Sequence, residues 1–229
     1  MQNWKSIWAK RELTSEYDTV LSKLISADGF DTGFGTIKEE DWISYIDHVS
    51  AKLNIIPNDS IYEVGCGSGA FLYNFYKNKH NIGGIDYSEN LIVIANQYLE
   101  AGQFKYDEAI MIDEKIKYDT VLSNGVFFYF PSLEYAKKVL NKMINKATKS
   151  IAILDVSDQE WKNKSLKIRK GNMTEEEYSK RYSGLDHLYY SKQWFIDIAL
   201  KHNLKIEIEQ QNINNYQNNS YRFNVFLYR

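Results

Sequence analysis

A glycine loop set between an apolar run and an amphipathic segment does most to limit how this chain can fold. Residues 61–64 are largely apolar, Gly65-Cys66-Gly67-Ser68-Gly69 follows directly, and apolar residues then recur at helical spacing over residues 70–76. The glycines permit a tight turn and let a ligand lie against bare backbone, next to the unpaired N–H groups of a helix N-terminus. The segment predicts a strand, a loop suited to a nucleoside-type ligand, and a helix.

Short apolar runs alternate with amphipathic segments from residue 60 to residue 155, a pattern typical of βαβ units around a parallel sheet. The predicted helices are residues 70–76, 88–99, 132–143 and, after a polar insertion, 191–202. The predicted strands are residues 61–64, 82–86, 103–106, 120–124, 151–155, 204–210 and 221–228. The last two strands are joined by too few residues for a helical crossover, so they are predicted to form an antiparallel hairpin at the sheet edge.

The first fifty or so residues are predicted to be mainly helical, because apolar residues recur there every three to four positions. A loop interrupts them at residues 28–35, which include three glycines. Thr36 with Glu39 forms a capping-box pattern at the start of the helix that follows this loop.

Composition and charge exclude several classes of protein. The 229 residues suit one large domain, and 28 Lys and Arg against 30 Asp and Glu leave a net charge of −2, so no nucleic-acid partner is predicted. Cys66 is the single cysteine, which excludes an internal disulfide and favours a reducing compartment, the cytoplasm by default. Residues 1–12 lack a signal-peptide core, and no apolar run approaches the roughly 20 residues of a membrane span. The four histidines show no metal-ligand spacing, so no metal is predicted.

Two carboxylates, Glu63 and Asp86, limit which kind of ligand the glycine loop could bind. Glycines in the pattern Gly65-x-Gly67-x-x-Ala70 also satisfy the dinucleotide fingerprint, so the loop alone leaves a nicotinamide-dependent dehydrogenase open. Glu63 ends the first strand just before the loop, where it would repel a pyrophosphate but attract an ammonium group. Asp86 ends the second strand, where a carboxylate can accept both hydroxyls of an unphosphorylated ribose.

Four segments carry a resemblance to a known family. Glu63-Val64-Gly65-Cys66-Gly67-Ser68-Gly69 resembles motif I of class I S-adenosylmethionine-dependent methyltransferases of the small-molecule type, and residues 84–88 resemble the second motif. Residues 118–126 are similar to the fourth-strand segment and residues 221–228 to the reversed last strand. The resemblance runs from about residue 42 to the C-terminus. It implies an α/β fold with a doubly wound sheet of seven strands, six parallel and the last antiparallel, with N-terminal helices and a small helical cap insertion.

The resemblance also implies S-adenosylmethionine as cofactor and S-adenosylhomocysteine as product. The glycine loop would hold the methionyl part, Asp86 the ribose, and Glu108 with Ala109 the adenine, a role that Asp107 could equally fill. Asp119 would support the site or would simply begin its strand. The cofactor-binding residues implied are Glu63, Gly65, Cys66, Gly67, Gly69, Asp86, Tyr87, Ser88, Glu108, Ala109, Ser123, Asn124 and Gly125.

Candidate acceptor residues follow the fourth and fifth strands. Tyr129 belongs to an aromatic run that could exclude water and face a sulfonium, although its neighbours Phe127 and Phe128 fit a core equally well. His187 is the candidate general base, because an imidazole accepts a proton near neutral pH and Asp186 or a backbone carbonyl could orient it; an ordinary loop histidine is the alternative. The predicted catalytic residues are His187 and Tyr129, and the predicted substrate-binding residues are Tyr129, His187, Tyr189, Tyr190, Tyr221 and Arg222.

The leading functional hypothesis is O-methylation of a small polar metabolite, for instance a sugar or a precursor or substituent of a cell-surface glycan. N-methylation of a small amine is the close alternative, and a dehydrogenase or a non-enzymatic cofactor-binding protein are the others. One domain, a monomer or homodimer without nucleic-acid or membrane partners, is predicted. Its parts are N-terminal helices that form a lid or pack on the sheet (1–56), a cofactor-binding core (57–155), a cap insertion (156–190) and a last helix with hairpin (191–229).

Overall fold

The structure, a computed structural model, describes residues 4–13, 17–30 and 37–229. Its strands are β1 (Ile61–Val64), β2 (Ile82–Asp86), β3 (Gln103–Tyr106), β4 (Tyr118–Asn124), β5 (Ala147–Ser157), β6 (Lys205–Gln210) and β7 (Arg222–Tyr228). They form one sheet in the order β3-β2-β1-β4-β5-β7-β6. Only β7 runs antiparallel to its two neighbours. Six strands therefore run one way and the last is reversed, which confirms the predicted fold class.

Helices cover both faces of the sheet. Within the described ranges they are α1 (Trp4–Trp8), α2 (Val20–Ala27), α3 (Glu39–Lys52), α4 (Tyr73–Lys77), α5 (Glu89–Tyr98), α6 (Leu133–Lys146), α7 (Lys162–Lys170), α8 (Glu175–Tyr182) and α9 (Lys192–Lys201). Successive residues of a strand point to opposite faces, so Leu122 packs in the core under α2 and α3 while Val121 packs under α6 and α9. Two apolar cores, one on each side, thus hold the sheet.

Serine caps fix the start of three helices. Ser88, Ser132 and Ser191 each accept a backbone N–H from the residue three positions on, which satisfies one free donor at the start of α5, α6 and α9. The helix after the glycine loop differs from the prediction. It begins at Tyr73 rather than at residue 70, because residues 70–72 continue the turn.

Glu39 stands at the start of α3, where a capping box with Thr36 was predicted. Thr36 lies outside the described residues, and α3 begins at Glu39 after Lys38, which makes no side-chain cap. The Glu39 carboxylate instead accepts hydrogen bonds from the hydroxyls of Thr19 and Ser22, at 2.7 Å from Ser22. Glu39 therefore ties α3 to the start of α2.

The insertion after β5 is helical. Helix α8 carries a complete capping box, in which the Thr174 hydroxyl accepts the Glu177 N–H and the Glu177 carboxylate accepts the Thr174 N–H. The two helices of this insertion, α7 and α8, bury none of their residues, so they lie on the protein as a cap. None of the helices in the described part of the chain is both long and apolar enough to cross a membrane.

Candidate cofactor and acceptor site

Two adjoining cavities lie at the carboxyl ends of β1, β2 and β4, where the strand order reverses. Open α/β sheets bind their ligands at this position. The smaller cavity has a volume of about 60 Å³ and the larger of about 460 Å³. Gly65, Asp86, Tyr87, Val126 and Tyr129 line both, so the glycine loop and the end of β2 form a shared wall.

The glycine loop is held against β2 by its own backbone. The N–H groups of Gly65 and Cys66 both donate to the Ile85 carbonyl, at 2.7 and 3.1 Å. Gly65 has φ +75°, and a Cβ there would lie 2.9 Å from Cγ1 of Val126 and closer still to Cγ2. A side chain at this position would therefore collide with Val126, which lines both cavities.

Asp86 organises the loop from the next strand. Its carboxylate accepts the Gly67 N–H at 3.0 Å and the Ser88 N–H at 2.7 Å, so it joins the glycine loop to the start of α5. Burial raises the pKa of Asp86 to about 6, although these two hydrogen bonds favour its charged form. Asp86 lines both cavities and keeps further acceptor capacity for hydroxyl groups of a ligand.

Glu63 is a buried acceptor without a donor. Its side chain lines the smaller cavity and is 3% exposed, and within the described residues no hydrogen bond reaches Oε2. Burial, together with the negative charges of Asp28 and Asp86, raises its pKa well above the usual value. A buried carboxylate oxygen is strongly destabilising when unpaired, so this cavity fits a ligand that brings a cationic hydrogen-bond donor.

Helix α1 closes the larger cavity from outside. Glu108 and Ala109, which follow β3, line this cavity, and the Lys5 ammonium lies 2.9 Å from the Glu108 carboxylate. On the other side, the Trp4 indole donates to the Asp186 carbonyl of the cap insertion at 3.0 Å. The N-terminal helix thus spans the cleft between the end of β3 and the cap.

An aromatic cluster forms the opposite wall. Tyr129 lines both cavities, and its ring centroid lies 4.6 Å from that of Trp4 and 5.7 Å from that of His187. The His187 ring stacks on Trp4 at 5.1 Å and meets the edge of Phe128 at 4.8 Å. Burial, reinforced by the positive charges of Arg222 and Arg169, lowers the pKa of His187 well below its usual value, so the imidazole is neutral. Burial raises the pKa of Tyr129, so its phenol stays protonated.

Comparison with known proteins agrees with this geometry. A family model described as a methyltransferase domain matches residues 62–160. The solved structure of magnesium protoporphyrin IX methyltransferase from Synechocystis PCC 6803 with bound S-adenosylmethionine has a TM-score of 0.62 and 15% identity, covering 99% of this chain and 92% of that one. The plantazolicin methyltransferase BpumL in complex with S-adenosylhomocysteine has a TM-score of 0.62 and 18% identity, covering 98% and 96%.

Residues 62–160 form a methyltransferase domain. Among curated sequences, enniatin synthase from Fusarium equiseti is 29% identical over 126 residues, which are 51% of this chain but 4% of that synthase. The matched segment thus spans a small part of a much longer relative. The resemblance seen in the motifs is confirmed, and with it the enzyme class and the use of S-adenosylmethionine as cofactor.

The methyltransferase domain brings most of the predicted site residues together. The larger cavity is lined by Gly65, Asp86, Tyr87, Glu108, Ala109, Tyr129 and His187, and the smaller by Glu63, Gly65, Cys66, Gly67, Asp86, Tyr87, Asn124, Gly125 and Tyr129. Asp107 pairs with Lys105 at 2.8 Å instead. Asp119 accepts the Ser60 N–H at 2.8 Å at the amino end of β4, away from the loop, which matches its alternative role as the start of the strand.

Three residues predicted to bind cofactor line neither cavity in the described structure. Ser123 is fully buried and donates to the Val64 carbonyl at 2.8 Å, so it joins β4 to β1. The Ser88 hydroxyl donates to the Trp8 carbonyl at 3.1 Å. Gly69 faces Leu99 rather than the ligand space. These residues support the walls of the site instead of touching its contents.

Four predicted substrate-binding residues also lie outside the two cavities as described. The Tyr189 hydroxyl contacts the Ser165 hydroxyl at 2.9 Å, and Tyr221 packs edge-on against Trp161. Tyr190 is 1% exposed and donates to the Phe127 carbonyl at 2.8 Å. Arg222 is buried behind the cavity wall, with its guanidinium 4.1 Å from the Phe128 ring centroid. The hydroxyls of Tyr189 and Tyr190 are engaged by the protein, and a substrate-binding role of these four residues stays a prediction.

Several lining residues were missed by the sequence analysis. The smaller cavity is also lined by Trp8, Asp28, Phe30, Trp42, Phe71, Leu91 and Val126. Most are apolar and have no pattern that separates them from core residues. Asp28 stands in the glycine-containing loop predicted at residues 28–35, but nothing in that segment connects it with a loop forty residues later.

Substitution of Tyr190 tests whether its hydroxyl stabilises the fold or binds a ligand. Tyr190→Phe is expected to lower the free energy of unfolding by about 1–2 kcal/mol, because the Phe127 carbonyl loses its buried donor. The affinity for S-adenosylhomocysteine should change less than about twofold, since the ring stays in place. Thermal unfolding and calorimetric titration measure the two effects. Tyr189→Phe, at a half-buried hydroxyl, is the control with little effect on either; a large loss of cofactor affinity in Tyr190→Phe would instead indicate a binding role.

Proposed function

We propose that this methyltransferase domain transfers a methyl group from S-adenosylmethionine to a hydroxyl oxygen of a small polar molecule, and that it does so in the cytoplasm. The observation that carries the proposal is the neutral imidazole of His187, which lines the larger cavity beside Tyr129. A base must be unprotonated to accept a proton from a hydroxyl, and the low pKa of His187 keeps it so at neutral pH. A sugar-like acceptor remains one form of this proposal.

The residues of the two cavities fit the cofactor. We assign the ribose hydroxyls to Asp86, the adenine to the wall formed by Glu108 and Ala109, and the amino-acid end to the smaller cavity with Glu63. The unpaired Oε2 of Glu63 and the Asp86 carboxylate, which lines both cavities, support this fit. When bound, S-adenosylmethionine supplies a methyl group on a sulfonium, an already activated leaving group. The protein therefore contributes mainly alignment and exclusion of water.

The aromatic cluster lines the part of the site where the methyl acceptor would bind. The rings of Trp4, Phe128 and Tyr129 pack around His187 and leave it half-buried. As the acceptor oxygen forms its bond to carbon and the carbon–sulfur bond breaks, the electron pair of that bond stays on sulfur and the hydroxyl proton passes to a ring nitrogen of His187. The Tyr129 phenol remains protonated and can donate a hydrogen bond to the acceptor.

A second candidate is an acceptor whose oxygen is already anionic, such as a carboxylate. Two guanidiniums flank the aromatic cluster, Arg169 beside Trp4 at 5.8 Å and Arg222 over Phe128 at 4.1 Å. Each donates to an uncharged oxygen, Arg169 to the Leu185 carbonyl and Arg222 to the Ser157 hydroxyl, and neither forms an ion pair within the described residues. An anionic acceptor would gain from both charges and would not require His187 as a base.

His187→Ala distinguishes these candidates. With a hydroxyl acceptor, turnover is expected to fall about 100-fold or more, because the general base is lost, while affinity for S-adenosylhomocysteine stays within about twofold. The measurement is formation of S-adenosylhomocysteine over a panel of sugars, phenols, carboxylates and amines. His48→Ala, on α3 and paired with Glu209 at 2.6 Å, is the matched control. Unchanged turnover of a carboxylate would favour the second candidate, and turnover of amines alone would contradict both.

A further inference from the structure

The last turn of α2 reaches into the smaller cavity. Asp28, the residue that follows α2, accepts the Ser68 N–H of the glycine loop at 2.7 Å with Oδ1, and the Ser68 hydroxyl donates to the Leu24 carbonyl at 3.0 Å. A Cβ on Gly67 would lie 2.8 Å from Cγ of Asp28, so the carboxylate sits directly over the loop. The N-terminal region thus places a third carboxylate beside Glu63 and Asp86.

These three carboxylates line one cavity and have no cationic partner. Within the described ranges, no Lys, Arg or His side chain forms an ion pair with Asp28, Glu63 or Asp86. The charge of Asp86 raises the pKa of both Asp28 and Glu63, and the charge of Glu108 raises that of Asp86. Burial, and then the charge of Asp86, raises the pKa of Asp28 to about 7, against the effect of the Ser68 hydrogen bond. Burial and mutual repulsion therefore disfavour the charged forms of these carboxylates, and a cationic group placed among them would stabilise those forms.

The Glu63 carboxylate independently indicates which kind of ligand this cavity accepts. The Oε2 atom of Glu63 is buried, lines the same cavity and has no donor within the described residues. The described residues also hold no group of three acidic, His or Cys side chains arranged to bind a metal ion. The site therefore fits an organic cation with several N–H donors, which an ammonium group provides.

We propose that Asp28 is a cofactor-binding residue whose carboxylate, together with Glu63, receives the α-ammonium group of the cofactor's amino-acid end. Asp86 is engaged by Gly67 and Ser88 and faces the ribose side, whereas Asp28 and Glu63 face the smaller cavity alone. The end of α2 is then part of the cofactor site rather than a cover over it. This inference rests on the cofactor class alone and does not depend on the acceptor.

Asp28→Asn tests the role of the charge with little change of shape, since the amide oxygen can still accept the Ser68 N–H. The probes are S-adenosylhomocysteine, which carries the ammonium, and 5′-methylthioadenosine, which lacks the whole amino-acid part. Affinity for the first is expected to fall about tenfold or more, and affinity for the second less than about twofold. Isothermal titration calorimetry of the full chain measures both. Asp47→Asn, on the exposed face of α3, removes the same charge elsewhere and should leave both affinities unchanged.

The ratio of the affinities for S-adenosylhomocysteine and 5′-methylthioadenosine decides whether Asp28 binds the ammonium group. An equal loss for both ligands would show that Asp28 only supports the loop, and no loss for either would show that it does not face the cofactor; both results overturn the proposal. Both ligands report on the same folded fraction, so partial unfolding leaves the ratio unchanged. Asp28→Ala provides a second variant with the same expected ratio. Turnover with any acceptor plays no part in the test, so failure of the O-methylation proposal would be recognised separately.

Discussion

Gly65→Ala is expected to remove detectable binding of S-adenosylhomocysteine and to lower the melting temperature by roughly 5–15 °C. Gly65 has φ +75°, which an alanine adopts only at a cost of about 1 kcal/mol. Its new methyl group would also overlap Val126, and such overpacking typically costs about 1–3 kcal/mol. Relief requires the loop or the end of β4 to move, and both form walls of the cofactor cavities. Calorimetric titration and thermal unfolding measure the two losses.

Gly171→Ala is the matched control. Gly171 ends α7 with φ +54°, so alanine there meets a similar backbone cost, but the nearest atom to its Cβ is the Ile168 carbonyl oxygen at 3.8 Å. The control is expected to lose some stability and keep its full affinity. If Gly65→Ala lost stability to the same extent as Gly171→Ala and still bound the ligand, the loop would not be the cofactor site.

Asp86→Ala is expected to weaken S-adenosylhomocysteine binding about 100-fold or more. The substitution removes the acceptor for the ribose, and it also releases the Gly67 and Ser88 N–H groups that the carboxylate holds at 3.0 and 2.7 Å. Each hydrogen bond from a ribose hydroxyl to a charged carboxylate contributes about 1.5–3 kcal/mol, so the loss of both should lower the affinity more than 100-fold. Asp113→Ala removes a carboxylate that accepts the Lys115 N–H in an exposed turn and should leave binding unchanged. An Asp86→Ala protein with wild-type affinity would contradict the ribose assignment.

The pH dependence of binding gives a further check on Asp86. Burial raises its pKa to about 6, and the deprotonated form is the one that accepts hydroxyl donors. Affinity of the wild-type protein should therefore fall as the pH drops below about 7, where Asp28 takes up a proton, and more steeply below about 6. The steeper part should be absent from Asp86→Ala. Titrations between pH 8 and pH 5 measure this, and a flat wild-type profile would contradict it.

Most of the strands could be predicted closely because they are short apolar runs in the buried part of the sheet. The main difference is β5, which was expected at residues 151–155 and extends over Ala147–Ser157. Its added ends include polar residues such as Thr148 and Lys149, which carry no apolar signal. They are in the strand because pairing with β4 begins at Ala147 and pairing with β7 continues to Ser157 through a bulge. Partners in the sheet, rather than local composition, fix those ends.

The site residues differ in the same way: some could be predicted from adjacent residues, and others are brought to the site only by the fold. The glycine loop and Asp86 could be predicted because their chemistry lies in residues adjacent along the chain. Asp28 could not, because the fold of α2 brings it to Ser68 from forty residues away. The role of Tyr190 is ambiguous from the sequence because a tyrosine near the expected pocket can bind a ligand or support the fold, and its hydroxyl donates to a buried carbonyl.

Helix α1 has a kinetic consequence for this enzyme. It is five residues long and buries none of them, and it is held over the cleft by a few contacts, among them Lys5 with Glu108 and Trp4 with Asp186. A segment with so little buried surface opens at low free-energy cost. We therefore expect exchange of spent for fresh cofactor to follow the opening of this helix. Variants that weaken its contacts should then shorten the residence time of S-adenosylhomocysteine more than they change its equilibrium affinity.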